Sequence, residues 1–352
     1  MFTCPPILPY FTPLPTLSLQ GEANLGIPAW LAAVEADLDK ALASGTPIRQ
    51  VVMGRCCAID SMMEALFELY ELDQTDLTLF ATGGYGRGEL HPFSDVDLLL
   101  LSPNPIDEVL NQKISPFAAK LWDIGIDPAL VVRSVEECDE ACHDDITVAT
   151  SLLEARILAG NAAQAGLPMQ LLNKNWSQTK FYEAKMAEAK ERYLKHNSTE
   201  YNLEPDLKNA PGGLRDIHTV GWISKRYFRV TNLFGLVQQE FITEKEFDEL
   251  QQAEDFLWLI RHHLHKIAKR NENRVLFDYQ RLIAERIGYR DNSHPNAAVE
   301  QFMRDYYRYA MSNSTLSEML TQHYYETLIE ARLPDEQRPV RKVINELSLI
   351  HI

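Results

Sequence analysis

The chain has 352 residues, of which 45% are hydrophobic and 24% charged; this balance belongs to a folded globular protein of two or three domains and excludes a disordered one. No apolar run reaches the ~18 residues of a membrane span, and the opening MFTCPPILPYFTPLPTL lacks a basic region and is broken by prolines, which argues against a signal peptide. A net charge of −16, from 34 basic and 50 acidic side chains, sets the surface against polyanions and points to a protein or small-molecule acceptor rather than nucleic acid.

Residues 1–46 are rich in proline and small side chains, and read as an arm with one short helix near Pro28–Leu42. Thr46-Pro47 opens a long amphipathic helix to about Leu72, with proline suited to the first turn. Leu77–Thr82 (LTLFAT) reads as a buried strand entering a Gly-Gly turn, and Val96–Leu101 (VDLLLL) as a second strand. Pro105 to Trp122 reads as a helix, Ile126–Arg133 as a third strand with Pro128 early in it, and Ser134–Glu137 carries capping-box spacing for another helix. From about Asp145 the spacing is almost wholly helical: Ile146–Ala159, Phe181–His196, Gly213–Tyr227, Glu244–Asn271, Tyr279–Ile287 and Asn296–Glu326. Gly160-Asn161 is the expected domain seam. The five cysteines (Cys4, Cys56, Cys57, Cys138, Cys142) show no framework spacing, so reduced thiols in a cytoplasmic protein are expected.

The chemistry concentrates in Gly83–Asp97, GGYGRGELHPFSDVD. Two glycines after a strand allow positive φ and let backbone N–H groups approach phosphate oxygens. Arg87 offers a cation to the same anion. On the following strand the period of two puts Asp95 and Asp97 on one face, where paired carboxylates suit Mg²⁺ and its bridges to nucleotide phosphates. Two such ions would activate a hydroxyl and stabilise leaving pyrophosphate. Taken singly, a Gly-Gly turn is usually a turn and an Asp-x-Asp a solvated strand end. Their conjunction at this spacing is the order that nucleotidyl transfer requires.

The block resembles the polymerase-β-like nucleotidyltransferases. More narrowly, GGYGRGELHPFSDVDLLLL is similar to the signature of the bifunctional uridylyltransferase/uridylyl-removing enzymes that modify the PII nitrogen-regulatory protein. The likeness continues in Leu121–Gly125, Asp145–Thr150, Tyr201–Thr219 and Val275–Tyr289, and covers roughly residues 50–340. It implies an α+β fold: a polymerase-β-like nucleotidyltransferase domain, with a small mixed sheet and helices, followed by an all-helical domain. The expected divisions are an arm at 1–46, the nucleotidyltransferase domain at 47–160, the helical domain at 161–330 and a tail at 331–352, cut before an HD domain and the glutamine-sensing ACT domains of full-length relatives. It also implies transfer of UMP from UTP to a PII tyrosine with Mg²⁺ as cofactor, without nucleic-acid or membrane partners. Gly83 and Gly84 are then the phosphate cradle, with Arg87 and Ser94 as nucleotide contacts, and Asp95 and Asp97 are metal ligands and catalytic acids.

Relatives usually carry a third carboxylate where Asp127 stands, with Asp123 the alternative. This chain departs there, reading Ala129-Leu-Val-Val-Arg133 in place of Gly-His-Ser-Val-Arg. A second constellation, Glu204–Lys208 with Pro211-Gly-Gly-Leu-Arg-Asp216, makes Lys208 and Arg215 nucleotide-binding candidates beside a plain loop-and-cap reading. Adenylyl transfer of the glutamine-synthetase-modifying type, or an inactive nucleotide-sensing module, are the rival functions. His143-Asp144 reads as an exposed helix junction, and Cys138, Cys142 and His143 together as a helix face, rather than metal sites. His262, His263 and His265 among Arg261, Lys266, Lys269 and Arg270 read as a solvated basic face, with a phosphate- or PII-docking role as the sharper alternative.

Overall fold

The computed structural model describes residues 13–15, 26–195, 202–230, 232–290, 293–294, 296–332, 334, 341–345 and 348–351. Its first helix, α1 (Gly26–Ala43), packs on α2 (Ile48–Leu69) through Ile27, Trp30, Val34 and Leu38, all buried. The apolar runs near residues 80 and 100 become the centre of a mixed sheet: β1 (Thr78–Ala81) and β2 (Val96–Ser102) pair antiparallel. A short helix, α3 (Gly83–Gly86), begins the connection between them. After α4 (Glu108–Asp123), β3 (Pro128–Ser134) adds parallel to β2 as an edge strand, which accommodates its leading proline.

The capping box forms as the spacing predicts: Ser134 accepts from Glu137 N–H while the Glu137 carboxylate takes Ser134 N–H, starting α5 (Val135–Asp144). The next element corrects the expectation of one helix over 146–159. The helix α6 (Ile146–Glu154) stops at Ala155, and β4 (Arg156–Gly160) pairs antiparallel with β1, giving the order β3-β2-β1-β4. β1 had an open edge, and its backbone groups are satisfied only if this segment extends.

The rest is helical: α7 (Leu167–Asn175), α8 (Gln178–Lys195), α9 (Leu214–Phe228), α10 (Phe234–Gln238), α11 (Glu244–Ala268), α12 (Phe277–Arg286) and α13 (Ala297–Tyr324), followed by a hairpin of β5 (Arg341–Asn345) and β6 (Ser348–His351). No helix among the described residues is long and apolar enough to cross a membrane. Strand β2 is apolar on both faces because both are covered. Leu98 and Leu100 join the cluster of α1, α2, α4 and α11–α13, whereas Leu99 and Leu101 pack with Cys138, Cys142, Leu152 and Trp222. A boundary near Gly160-Asn161 remains a proposal, since the first cluster runs from Leu79 on β1 to Leu257 and Phe302 beyond it.

Two surface expectations are overturned. His262 and His265 on α11 are buried, with Arg261 8% exposed, so this part of the supposed solvated basic face is interior, whereas Lys269 and Arg270 at its end are exposed as expected. The His262 ring sits 3.5 Å from Asp39, and the His265 ring meets the Pro92 carbonyl. Cys56, Cys138 and Cys142 are free buried thiols, but Cys57 is disulfide-bonded, against the expectation of reduced thiols throughout.

Candidate active site

The turn after β1 and the start of β2 are built as one unit. Thr82 N–H donates to the Asp97 carbonyl at 3.0 Å, which brings Gly83 against the Asp97 side chain. Gly83 has φ +55°, and a Cβ there would strike the Asp97 carboxylate. At Gly84 an added Cβ would lie 3.1 Å from the Glu89 carbonyl, tighter than side chains tolerate comfortably. Gly83 is therefore required by the carboxylate, and Gly84 is favoured by the returning loop, whatever ligand they also serve.

Asp97 is raised to about 6, by its burial and then by the negative charge of Asp95. Two carboxylates held together at a strand entrance form an all-oxygen donor set that fits a hard divalent cation. Between them and the turn, Ser94 Oγ is buried with no hydrogen-bond partner among the described residues, a hydroxyl available to a ligand.

These groups open into a cavity of about 280 Å³ that also receives Lys208, Arg215 and Arg261 from three separate segments. None of the three has a carboxylate partner among the described residues: Arg261 donates to Asn273 at 2.9 Å, and Arg215 lies 5.3 Å from the Trp222 ring. Burial, then repulsion from Arg261 and Arg215, lowers Lys208 to about 8. Burial likewise depresses Arg215, with Arg87 adding to it, and brings Arg261 down to about 10. Asp95 offsets part of the repulsion at Lys208 and Arg261, as Glu154 and Glu188 do at Arg215, but with no direct ion pair among the described residues the three cations are placed to receive a further anion.

Arg87 also lines the cavity, but its guanidinium is engaged by Glu154 and, at 2.9 Å, by Glu89. Burial opposes its charge, yet those two carboxylates hold Arg87 above its ordinary range. It is a strut in the wall more than a free cation. Glu154 accepts in addition from Trp222 Nε1, and His218 sits 3.0 Å from Glu89, kept neutral (about 3) by burial and then by Arg87. Glu254 completes a group with Glu89 and His218 whose ligand atoms lie within 4.8 Å of one another. Arg49 at 2.6 Å and Arg87 already occupy its carboxylates, so Asp95 and Asp97 are the better metal donors.

Of the sequence candidates, the structure gathers Gly83, Gly84, Arg87, Ser94, Asp95, Asp97, Lys208 and Arg215 around one cavity. Asp127 is not among its lining residues. It is exposed just ahead of β3, its carbonyl accepting Val96 N–H at 2.8 Å. Asp123, at the end of α4, is exposed too. Sequence reading missed Lys185, Glu188 and the polar stripe Thr147, Thr150, Ser151, Glu154 on α6, and took Arg261 chiefly as part of a basic face. That stripe has helical spacing and was legible in principle; nothing local marks Lys185, and nothing in the basic stretch sets Arg261 apart from its neighbours, so helix packing recruits both.

Comparison with known proteins agrees with this geometry. Residues 62–151 match the nucleotidyltransferase domain family, and residues 180–321 match the family described as GlnD PII-uridylyltransferase. The chain is 60% identical over 350 residues to the bifunctional uridylyltransferase/uridylyl-removing enzyme of Psychrobacter sp. (strain PRwf-1), covering 98% of this chain and 39% of that protein. To the enzymes of the same name from Psychrobacter arcticus and Acinetobacter baumannii it is 56% and 47% identical, over 98% and 91% of this chain and 40% and 36% of theirs. The chain thus spans about two-fifths of the length of these curated relatives. Residues 62–151 are a nucleotidyltransferase domain, a class that generally uses a divalent metal, and the chain is homologous to the bifunctional uridylyltransferase/uridylyl-removing enzymes.

Proposed function

We propose that the chain transfers UMP from UTP to a tyrosine hydroxyl of the PII signalling protein, in the cytoplasm, with release of pyrophosphate and with Mg²⁺ as the metal. The observation that carries this reading is the meeting of Asp95 and Asp97, in one cavity, with three cations that have no ion-pair partner among the described residues. The relatives' names supply the uridylyl group. Lys208, Arg215 and Arg261 neutralise the triphosphate, and the Gly83-Gly84 turn lets it approach the backbone. Asp95 and Asp97 would hold Mg²⁺, which when bound offsets phosphate charge and favours the attacking oxygen as alkoxide.

Asp127 is proposed to accept the tyrosine proton. It is exposed, and the parallel register of Val96 with Pro128 sets the start of β3 beside the start of β2, at the side open to a protein acceptor. The test is incubation of the chain with PII, Mg²⁺ and either UTP or ATP labelled at the α-phosphate. Label from UTP on a PII tyrosine is expected; label from ATP alone would replace this reading with adenylyl transfer, and no label from either would leave a binding module.

A further inference from the structure

A second cavity, of about 350 Å³, lies behind the wall of the first, among α2, α9, α10 and α11. Arg87, Glu89, His218 and Trp222 line both, but the second has no part in the cradle or the aspartate pair. Its far side is apolar, with Leu250, Phe247, Phe234 and Val230.

Three features distinguish it from a packing defect. The first is Gly221, in the middle of α9, a position where glycine weakens a helix. Its φ is not positive, and a Cβ added there would find nothing within 4 Å beyond its own helix. Packing therefore does not demand glycine; its absent side chain keeps the cavity open. The second is Lys225, one turn further along the same face, whose ammonium has no hydrogen-bond or ion-pair partner among the described residues. The third is charge: Arg49 is matched by Glu254 and by Asp255 at 2.8 Å, and Arg87 by Glu89 and Glu154, which leaves Lys225 as the lining cation without an ion pair among the described residues. Trp258 Nε1, buried and without an acceptor among the described residues, adds a donor to the lining.

We propose that this cavity binds a small organic anion, one carboxylate on an apolar body, with the carboxylate on Lys225 and the body against Leu250 and Phe247. One unpaired ammonium calls for one carboxylate, and an aromatic and aliphatic wall excludes a polyphosphate.

The test uses the full chain, with phenylbutyrate as the probe and phenylbutanol as its uncharged counterpart. Calorimetry and tryptophan indole N–H resonances follow the binding. Saturable binding of the acid is expected, with the alcohol and the Lys225→Met variant each weaker by at least about ten-fold, as for loss of a charged hydrogen bond. Gly221→Leu provides the second arm, because it fills the cavity with a better helix former: binding should vanish while the melting temperature holds or rises. Lys208→Ala, in the other cavity, should leave the acid's affinity unchanged. Equal binding of acid and alcohol, acid binding that survives Gly221→Leu, or its loss in Lys208→Ala would each overturn the proposal.

Discussion

Gly83 leaves no room for one more carbon. Its φ of +55° costs any other residue about 1–2 kcal/mol, and the added Cβ must also displace the Asp97 carboxylate. Gly83→Ala is therefore expected to lose that stability in urea denaturation and to lose transfer disproportionately, because the carboxylate moves. Lys208 makes a pH-dependent prediction. Its folded-state value of about 8 lies below the ordinary 10.5, so the buried cation costs stability while protonated, and the cost is relieved as pH rises from about 8 toward 10.5. Triphosphate binding runs the other way, since it needs the proton. Affinity should fall by about ten-fold from about pH 7 to about pH 9.5, and Lys208→Arg should flatten the titration. A flat profile in the wild type would remove Lys208 from the phosphate site. At this scale the turn and the strand carboxylates were legible because their chemistry is local. Arg87 shows the limit: the same motif supplies it, but Glu154 and Glu89, distant or unremarked in sequence, decide that it serves as a strut.

Elements were legible where their signals are internal. The Ser134–Glu137 capping box names its own helix, and Ser134→Ala should destabilise the protein by about 1 kcal/mol, read as a lowered melting temperature. An unchanged melting temperature would mean that packing, not the cap, sets the start of α5. β4 was illegible for the complementary reason. ARILAG carries helical apolar spacing, and only the open edge of β1, far away in sequence, makes extension favourable. The histidines of α11 misled in the same way: charge-rich spacing looks like a solvated face until Asp39 and the Pro92 carbonyl supply buried partners. A helix's outer face cannot be told from its sequence when polar groups are satisfied from other elements.

Over the whole molecule, one apolar cluster joins α1, the sheet and α11–α13 across the proposed seam at Gly160-Asn161. We expect calorimetry to show a single unfolding transition; two separate transitions would mean that the segments on either side are independently stable. Charge is distributed with the same integration. The chain is strongly acidic, yet Lys208, Arg215 and Arg261, all beyond that seam, converge on two aspartates that precede it. The central claim is that this convergence performs nucleotidyl transfer, and Asp95→Asn and Asp97→Asn test it most directly. The measurement is divalent-cation-dependent movement of the UTP α-phosphate onto PII, with pyrophosphate release, alongside thermal melting. Each variant should lose at least about a hundred-fold in rate, while Asp97→Asn melts no lower than wild type because burial and Asp95 already oppose its charge. Wild-type transfer in either folded variant would contradict the account.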